Sequence, residues 1–289
     1  GTLLSSLHFV VGGRHIAGKM FGKKAVVPEV SSFGLSNDAL TEVGTLLGVL
    51  FLLHAIAFLI VPSVRKDFSK TPHLAAHFVA TLVGFFAFAA YGTSLWLATP
   101  YLNNEPCVTD HIGGTCTEGA RLVHAMMAFQ TYEVLLALWV PKLRGPSGDM
   151  LVHHLATLTL ATLGAGYGYL EHLAPFFFGL TELSSVPLAF MDLFKFYPAL
   201  KNAMPLTNEN VRTAFVVIFI PVRIVYWPYV CSEFWQDSFA ELQSEVPRQP
   251  TALVMTFLVA NILLTGLQFF WGSLIAKGVL KKIKGQKDD

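Results

Sequence analysis

Two adjacent histidines carry the strongest chemical signal in the sequence, because neutral imidazoles can act as general bases, nucleophiles or metal ligands. His153 and His154 stand near the start of an apolar run, and Thr157 follows them at four and three residues. These spacings place the three side chains on one side of a helix. The alternative is that one imidazole only hydrogen-bonds a neighbouring helix. The adjacency of the rings and the acidic residues of the next apolar run favour a functional site.

Carboxylates in that next run supply the predicted partners of the imidazoles. Asp192 would return to a depth similar to that of the His pair, and Glu182 would lie nearer the middle of the membrane, three residues before Ser185. The predicted catalytic residues are therefore His153, His154, Glu182 and Asp192, with one of the two carboxylates orienting an imidazole.

Other polar residues inside apolar runs also need a partner or a task, because a charge at membrane depth costs about 2.5–3.5 kcal/mol on insertion scales. Arg223 is the clearest case, and both Glu182 and Glu133 are candidate counter-ions. Arg223 could form an ion pair that holds two helices together. It could equally bind an acidic lipid head group or an acyl carbonyl. The predicted substrate-binding residues are Thr157, Ser185, Arg223 and Asn261.

Several polar residues are explained by structural contacts at least as well as by a role in chemistry. Gln130 and Glu133 are three residues apart and could share a helix face, and Asn261 and Gln268 favour hydrogen bonding between helices. The isolated histidines are interpreted as structural or interfacial; they are His54, His77 and His124. No metal site is predicted, because the sequence holds one adjacent His pair and no second His-rich box of the kind that binds iron in lipid desaturases.

Composition identifies the environment of these groups. Charged residues make up 13% of the 289 residues and hydrophobic residues 53%, with 24 Phe among them and a mean hydropathy of +0.54. A soluble domain usually carries about 25% charged residues. The composition therefore excludes a soluble enzyme, a disordered chain and a disulfide-stapled module, and it indicates an integral membrane protein. The net charge of +1 gives no sign of nucleic-acid binding.

Unbroken apolar runs predict an all-α polytopic protein with about seven transmembrane helices. The predicted spans are residues 41–61, 74–99, 121–140, 150–170, 173–197, 211–234 and 250–276. A basic, amphipathic arm is predicted over residues 1–40 and a polar tail over 285–289. The first span and its loop would occupy 41–71, and the main domain would occupy 72–284.

The distribution of Lys and Arg predicts the orientation. With seven spans, thirteen of the 20 basic residues fall on the side of the C-terminus and six on the other. The C-terminus is therefore expected on the cytoplasmic, matrix or stromal side, in the endoplasmic reticulum or an organellar inner membrane. On the opposite side, Cys107 and Cys116 could form a disulfide or remain free thiols.

The segment around the His pair resembles a motif of the TLC-domain family, which includes TRAM-type and Lag1-type proteins. Residues 149–157 read D-M-L-V-H-H-L-A-T and are similar to the family's D-x-x-x-H-H-x-x-T. Three further marks follow in the family's order, and they are the T-E-L-S-S-V-P of 181–187, the F-I-P-V-R of 219–223, and the helix from Asn261 through Trp271 to Lys277. The resemblance runs from about residue 72 to residue 284.

The resemblance implies six core helices around a lipid cavity that opens to one leaflet. It also implies a function that acts on long-chain lipids. In ceramide synthases of this family a His pair is required for acyl transfer from acyl-CoA to a sphingoid amine. Carried over, His153 and His154 would be base and acyl acceptor, in an order that is left open. The sequence departs from those synthases at Thr181, Ser185 and Ala189, where they carry His, Asp and Glu, so it is more similar to the TLC-domain-containing branch.

Three functions are therefore expected as alternatives. The first is a lipid acyltransferase with acyl-CoA as donor and no firmly implied cofactor. The second is a non-catalytic lipid binder. The third, suggested by the basic N-terminal arm, is an accessory subunit of a larger membrane complex, which is compatible with either of the others. The expected partners are membrane lipids and other membrane subunits, not nucleic acid.

Overall fold

The computed structural model describes residues 30–98, 110–112, 114–145 and 148–284, and every regular element in these ranges is helical. The all-α class expected from the unbroken apolar runs is therefore confirmed. A helix satisfies its own backbone polar groups, which is what a segment needs where no water is available.

Long helices alternate with short ones in the described ranges. The α-helices are α1 Asn37–Val64, α2 Lys66–Ser69, α3 Pro72–Ala98, α4 Thr117–Trp139, α5 Asp149–Tyr167, α6 Ala174–Phe177, α7 Ser185–Phe196, α8 Pro198–Ala203, α9 Pro205–Phe219, α10 Trp227–Leu242 and α11 Thr251–Ile283. Three 3-10 turns, Pro141–Arg144, Glu171–Leu173 and Leu180–Leu183, and a π-helix, Ile220–Tyr226, join some of them.

Among the described residues, five stretches are long and apolar enough to cross a membrane, and they are Asn37–Val64, Pro72–Ala98, Thr117–Trp139, Pro205–Leu242 and Thr251–Lys281. A sixth is formed if two shorter pieces, Glu171–Leu183 and Ser185–Phe196, are counted together; they are bent by 40° relative to each other. These six correspond to six of the seven predicted spans.

The seventh predicted span, residues 150–170, is the helix α5, but α5 is not among the candidate spans. Its 19 residues include Asp149, His153 and His154, which lower its mean hydropathy. Gly168 ends the helix in the left-handed conformation, with φ of 60°, a backbone geometry that glycine adopts without strain. The count of seven is therefore not reached on apolarity, because the helix that carries the His pair falls short of the hydropathy that identifies the other spans.

Large side chains of α4 form one part of the core. Helix α4 packs against α1 and α5, and α1 packs against α3. Leu122, Phe129 and Tyr132 of α4 are almost fully buried, in a cluster that also contains Phe88 of α3. The outward side chains of α1 are apolar and exposed, as Leu59 is at 76%. An exposed apolar face of this kind is what a bilayer-facing helix requires.

Aromatic side chains build a second cluster, which joins the turn after α5 to α10 and α11. Its buried members include Tyr169, Phe176, Trp227 and Phe234, together with Val254 of α11. The two clusters fix the positions of α4, α5, α10 and α11, and these helices carry most of the polar side chains considered below.

The described part of the N-terminal segment is extended and docks on the bundle. The Ser31 amide donates to the Arg248 carbonyl, and the Gly34 amide donates to the Gly166 carbonyl. Residues 1–29 of the predicted arm and the tail 285–289 lie outside the described residues, and so does Cys107, so the alternative of a Cys107–Cys116 disulfide stays open.

A close approach of two backbones at Gly92 generates a stability prediction. A Cβ on Gly92 of α3 would lie 2.2 Å from Cα of Gly179, so Gly92→Ala must push the connection after α6 away. Overpacking of this kind costs about 1–3 kcal/mol. We expect a lower midpoint of thermal unfolding for Gly92→Ala in detergent solution.

The matched control is Gly48→Ala in α1, where an added Cβ has no atom within 4 Å. This control is expected to leave the midpoint unchanged or to raise it slightly. Equal midpoints for the two variants would contradict the close packing of α3 against Gly179.

Candidate functional site

A cavity of about 510 Å³ lies inside the bundle. Apolar side chains form most of its wall, and polar side chains form a smaller part. All the residues predicted from the sequence as site residues line it, and they are His153, His154, Thr157, Glu182, Ser185, Asp192, Arg223 and Asn261. The structure thus brings together side chains from α5, the bent connection to α7, α7 itself, the π-helix and α11. Their predicted chemical roles remain predictions.

The His pair sits in the second turn of α5, and its two rings lie 5.6 Å apart at an angle of 60°. Nδ1 of His153 is buried and makes no hydrogen bond to any described residue. The Thr157 hydroxyl donates to the backbone carbonyl of His153. The Thr157 hydroxyl therefore has its hydrogen-bond acceptor within the same helix.

His154 is held between two side chains of α4. Its Nδ1 lies 2.8 Å from Oε1 of Gln130, and its Nε2 lies 3.8 Å from Oε2 of Glu133. An amide oxygen can only accept, so this contact assigns the proton to Nδ1 and leaves the Nε2 lone pair free in the neutral ring. The ring orientation of His154 is therefore set by α4.

Glu133 is buried, at 4% exposure, and both of its oxygens have partners on α3. Oε2 lies 2.8 Å from Nε2 of His77, and the Thr81 hydroxyl donates to Oε1 at 2.8 Å. A buried carboxylate without such partners would be very costly. The cluster of His77, Thr81, Glu133, Gln130 and His154, which we call the Glu133 cluster, links α3, α4 and α5.

Arg223 lies in the π-helix and is clamped by the connection between α6 and α7. Its guanidinium donates to the hydroxyls of Ser184 and Ser185 at 2.7 and 3.2 Å and to the Thr181 carbonyl at 3.0 Å. Glu182 lies 3.7 Å away. Of the two candidate counter-ions, the structure therefore places Glu182, and not Glu133, beside Arg223.

Asn261 and Asp192 line the cavity in different ways. The Asn261 side chain accepts a hydrogen bond from the Trp235 indole and donates to the Cys231 sulfur, so its amide is used in joining α10 to α11. No hydrogen bond joins Asp192 or Glu182 to either imidazole within the part of the chain that the structure describes. The carboxylate nearest to the His pair is that of Glu133.

Apart from His154, the members of the Glu133 cluster are not assigned to the site by sequence reasoning. Gln130 and Glu133 share a helix face as their spacing indicates, but that spacing does not say which helix they meet. His77 was interpreted as structural because it is isolated in the sequence, and its partner Glu133 is 56 residues away. No local pattern could have joined them.

A comparison with protein-family models matches residues 73–277 to the TLC domain. The chain belongs to the TLC-domain family. The chain matches none of the curated proteins and none of the solved structures with which it was compared.

The chain is therefore an all-α polytopic membrane protein that carries a TLC domain. The TLC domain indicates a role that involves membrane lipids. The matched range contains α3 to α10 and most of α11, and thus every side chain of the cavity wall named above. The cavity is therefore a feature of the TLC domain itself.

The Arg223 clamp generates a second stability prediction. Arg223→Met removes the cation and leaves Glu182 and two hydroxyls without their partner, and breaking a buried ion pair costs about 3–5 kcal/mol. We expect a strong decrease in the thermal midpoint. Arg65→Met is the control, because Arg65 pairs with Asp67 while about a third of each side chain is exposed, and such pairs contribute little. Similar midpoints for the two variants would contradict a structural role of the clamp.

Proposed function

We propose that this TLC-domain protein binds a long-chain lipid in its cavity and transfers an acyl group at the His pair, with an acyl-CoA thioester as donor. The observation that carries the proposal is the position of His153 and His154, which line a mainly apolar cavity together with Glu133, whose carboxylate lies 3.8 Å from His154.

The size and lining of the cavity suit an acyl chain. A volume of about 510 Å³ falls within the usual range of small-molecule sites, about 300–1,000 Å³. Its apolar wall includes Phe85, Phe177, Phe257 and Leu264. An acyl chain held there would place a reactive head group beside the few polar side chains.

His154 is the better candidate for the general base. The contact with Gln130 keeps the proton on Nδ1, so Nε2 is available to accept a proton from a hydroxyl or amine of the acceptor lipid. Protonation of Nε2 creates an imidazolium 3.8 Å from the Glu133 carboxylate. A fixed negative charge stabilises the cation that forms, as the aspartate of a catalytic triad does.

His153 is the better candidate for the acyl acceptor, because its Nδ1 has no hydrogen-bond partner among the described residues. In this scheme the His153 imidazole attacks the thioester carbon, the carbon–sulfur bond breaks, and the proton lost from the imidazole leaves with the thiolate as free coenzyme A. The acceptor lipid then attacks the acyl-imidazole and gives its proton to His154, which returns it to His153 as the acyl–nitrogen bond breaks. The acyl group ends on the oxygen or nitrogen of the lipid, and both imidazoles are regenerated.

The second candidate function is non-catalytic lipid binding. It is favoured by two of the three positions where the sequence departs from ceramide synthases, Thr181 and Ser185, because the hydroxyls of both residues form structural hydrogen bonds. The Thr181 hydroxyl donates to the Phe177 carbonyl, and the Ser185 hydroxyl accepts from Arg223. In this case the protein would serve as a lipid-binding accessory subunit of a membrane complex, in the endoplasmic reticulum or an organellar inner membrane, with its C-terminus on the cytoplasmic, matrix or stromal side.

Reconstituted protein in lipid nanodiscs, supplied with fluorescent long-chain acyl-CoA and mixed lipid acceptors, provides the test. Wild-type protein should form an acylated lipid and release free thiol. His154→Ala should lower the rate by about 10²–10⁴-fold, which is the usual contribution of general acid–base catalysis.

Leu155→Ala is the matched control, since Leu155 is the next residue of α5 and is 45% exposed on the outer surface. It should retain the wild-type rate. Absence of turnover in folded wild-type protein that still binds the acyl chain would contradict acyl transfer and support the binding function.

A further inference from the structure

A second group of polar side chains lies near the end of α5 that is remote from the His pair. His111, in the described segment 110–112, meets His172, in the 3-10 turn Glu171–Leu173, and Asp237 of α10. The fourteen residues of helix between His153 and Tyr167 span about 20 Å. None of these three residues lines the cavity, so the group is separate from the candidate site.

The three side chains converge on a single point. Nδ1 of His111 lies 2.8 Å from Oδ2 of Asp237, and Nε2 of His172 lies 3.6 Å from the same oxygen. The two imidazole rings stack with centroids 4.2 Å apart and an angle of 20°. One nitrogen or oxygen from each residue lies within 4.8 Å of those from the other two.

These separations suit a tetrahedral zinc ion. Zinc binds imidazole nitrogen and carboxylate oxygen at about 2.0–2.2 Å, so two ligand atoms in tetrahedral positions lie about 3.3–3.5 Å apart. The observed 2.8 and 3.6 Å lie on either side of that distance. Coordination would require rotation of the two imidazole rings, which are stacked and have ligand atoms within 4.8 Å of each other and of the carboxylate.

An independent observation at His172 points to a missing partner. The residue is buried, at 8% exposure, and neither of its ring nitrogens hydrogen-bonds to any described residue. Buried polar atoms are nearly always hydrogen-bonded, so an unpartnered imidazole in contact range of a carboxylate needs an explanation. A pair formed by His111 and Asp237 alone leaves both ring nitrogens of His172 without a partner, whereas a cation between the three side chains would bind one of them.

We propose that His111, His172 and Asp237 bind one zinc ion, with a fourth position open to water. Two imidazoles and one carboxylate form a donor set that zinc sites with three protein ligands use. The ion would tie the segment 110–112 to α10 and to the turn after α5. A hydrogen bond from Arg248 to Asp110, at 2.6 Å, already holds the same segment.

No metal site is predicted from the sequence, because it holds no second His-rich box, and these three ligands do not form a motif either. His111 and Asp237 are 126 residues apart, and His172 stands alone in a short turn. Only the packing of α10 against the end of α5 brings them together.

The test uses the full chain purified through a peptide tag that contains no histidine, held in nanodiscs, stripped with a chelator and reloaded with zinc chloride. Elemental analysis after removal of free zinc should give about one ion per wild-type chain. His172→Ala and Asp237→Asn should each lose that ion. His124→Ala is the control, because His124 forms a similar pair with Glu42 at 2.7 Å and should keep it.

A second readout guards against variants that fail to fold. His111→Ala changes a side chain that is 43% exposed, so it should elute as the wild type does in size exclusion and still lose the zinc. Cobalt(II) loaded in place of zinc should give the visible absorption of tetrahedral coordination in wild type and not in His111→Ala. Wild-type protein that retains no zinc, or variants that retain it fully, would overturn the proposal.

Discussion

A buried carboxylate at membrane depth is the constraint on which the candidate site depends. Glu133 can remain in an apolar bundle only because its oxygens contact His77 and the Thr81 hydroxyl. Those partners lie on α3, whereas Glu133 lies on α4 and faces His154 of α5. The three helices must therefore keep fixed depths in the membrane and fixed rotations about their axes relative to one another. The orientation of His154 follows from that alignment.

A second buried charge fixes the other side of the cavity in the same way. Arg223 holds the bent connection before α7 through three oxygen atoms and Glu182. The π-helix around Arg223 widens the backbone locally, which is common where a helix serves a function. Both polar anchors line the cavity, and the apolar side chains of the same wall can accept an acyl chain.

Apolar runs made most helices of the fold predictable, since segments such as 41–61 have the length and hydropathy of a span. The bend before Ser185 and the short turns around it were not predictable, because the run 173–197 has the length and overall hydropathy of a single span despite Glu182 and Asp192. In the site, the adjacency of His153 and His154 and their spacing to Thr157 were visible in the sequence. Two features of the site depend on how distant helices pack, and no local spacing encodes that packing. Arg223 pairs with Glu182, and His77 and Glu133 belong to the site.

Photochemical crosslinking tests the central claim, that an acyl chain occupies the cavity beside the His pair. A long-chain acyl-CoA with a diazirine in its chain is added to the protein in nanodiscs. The sample is irradiated, and the labelled residues are mapped by mass spectrometry. The account predicts label on cavity residues such as Phe177, Leu188 and Leu264, which unlabelled acyl-CoA should suppress. Label confined to outward residues such as Val152 and Leu155, without competition, would contradict it.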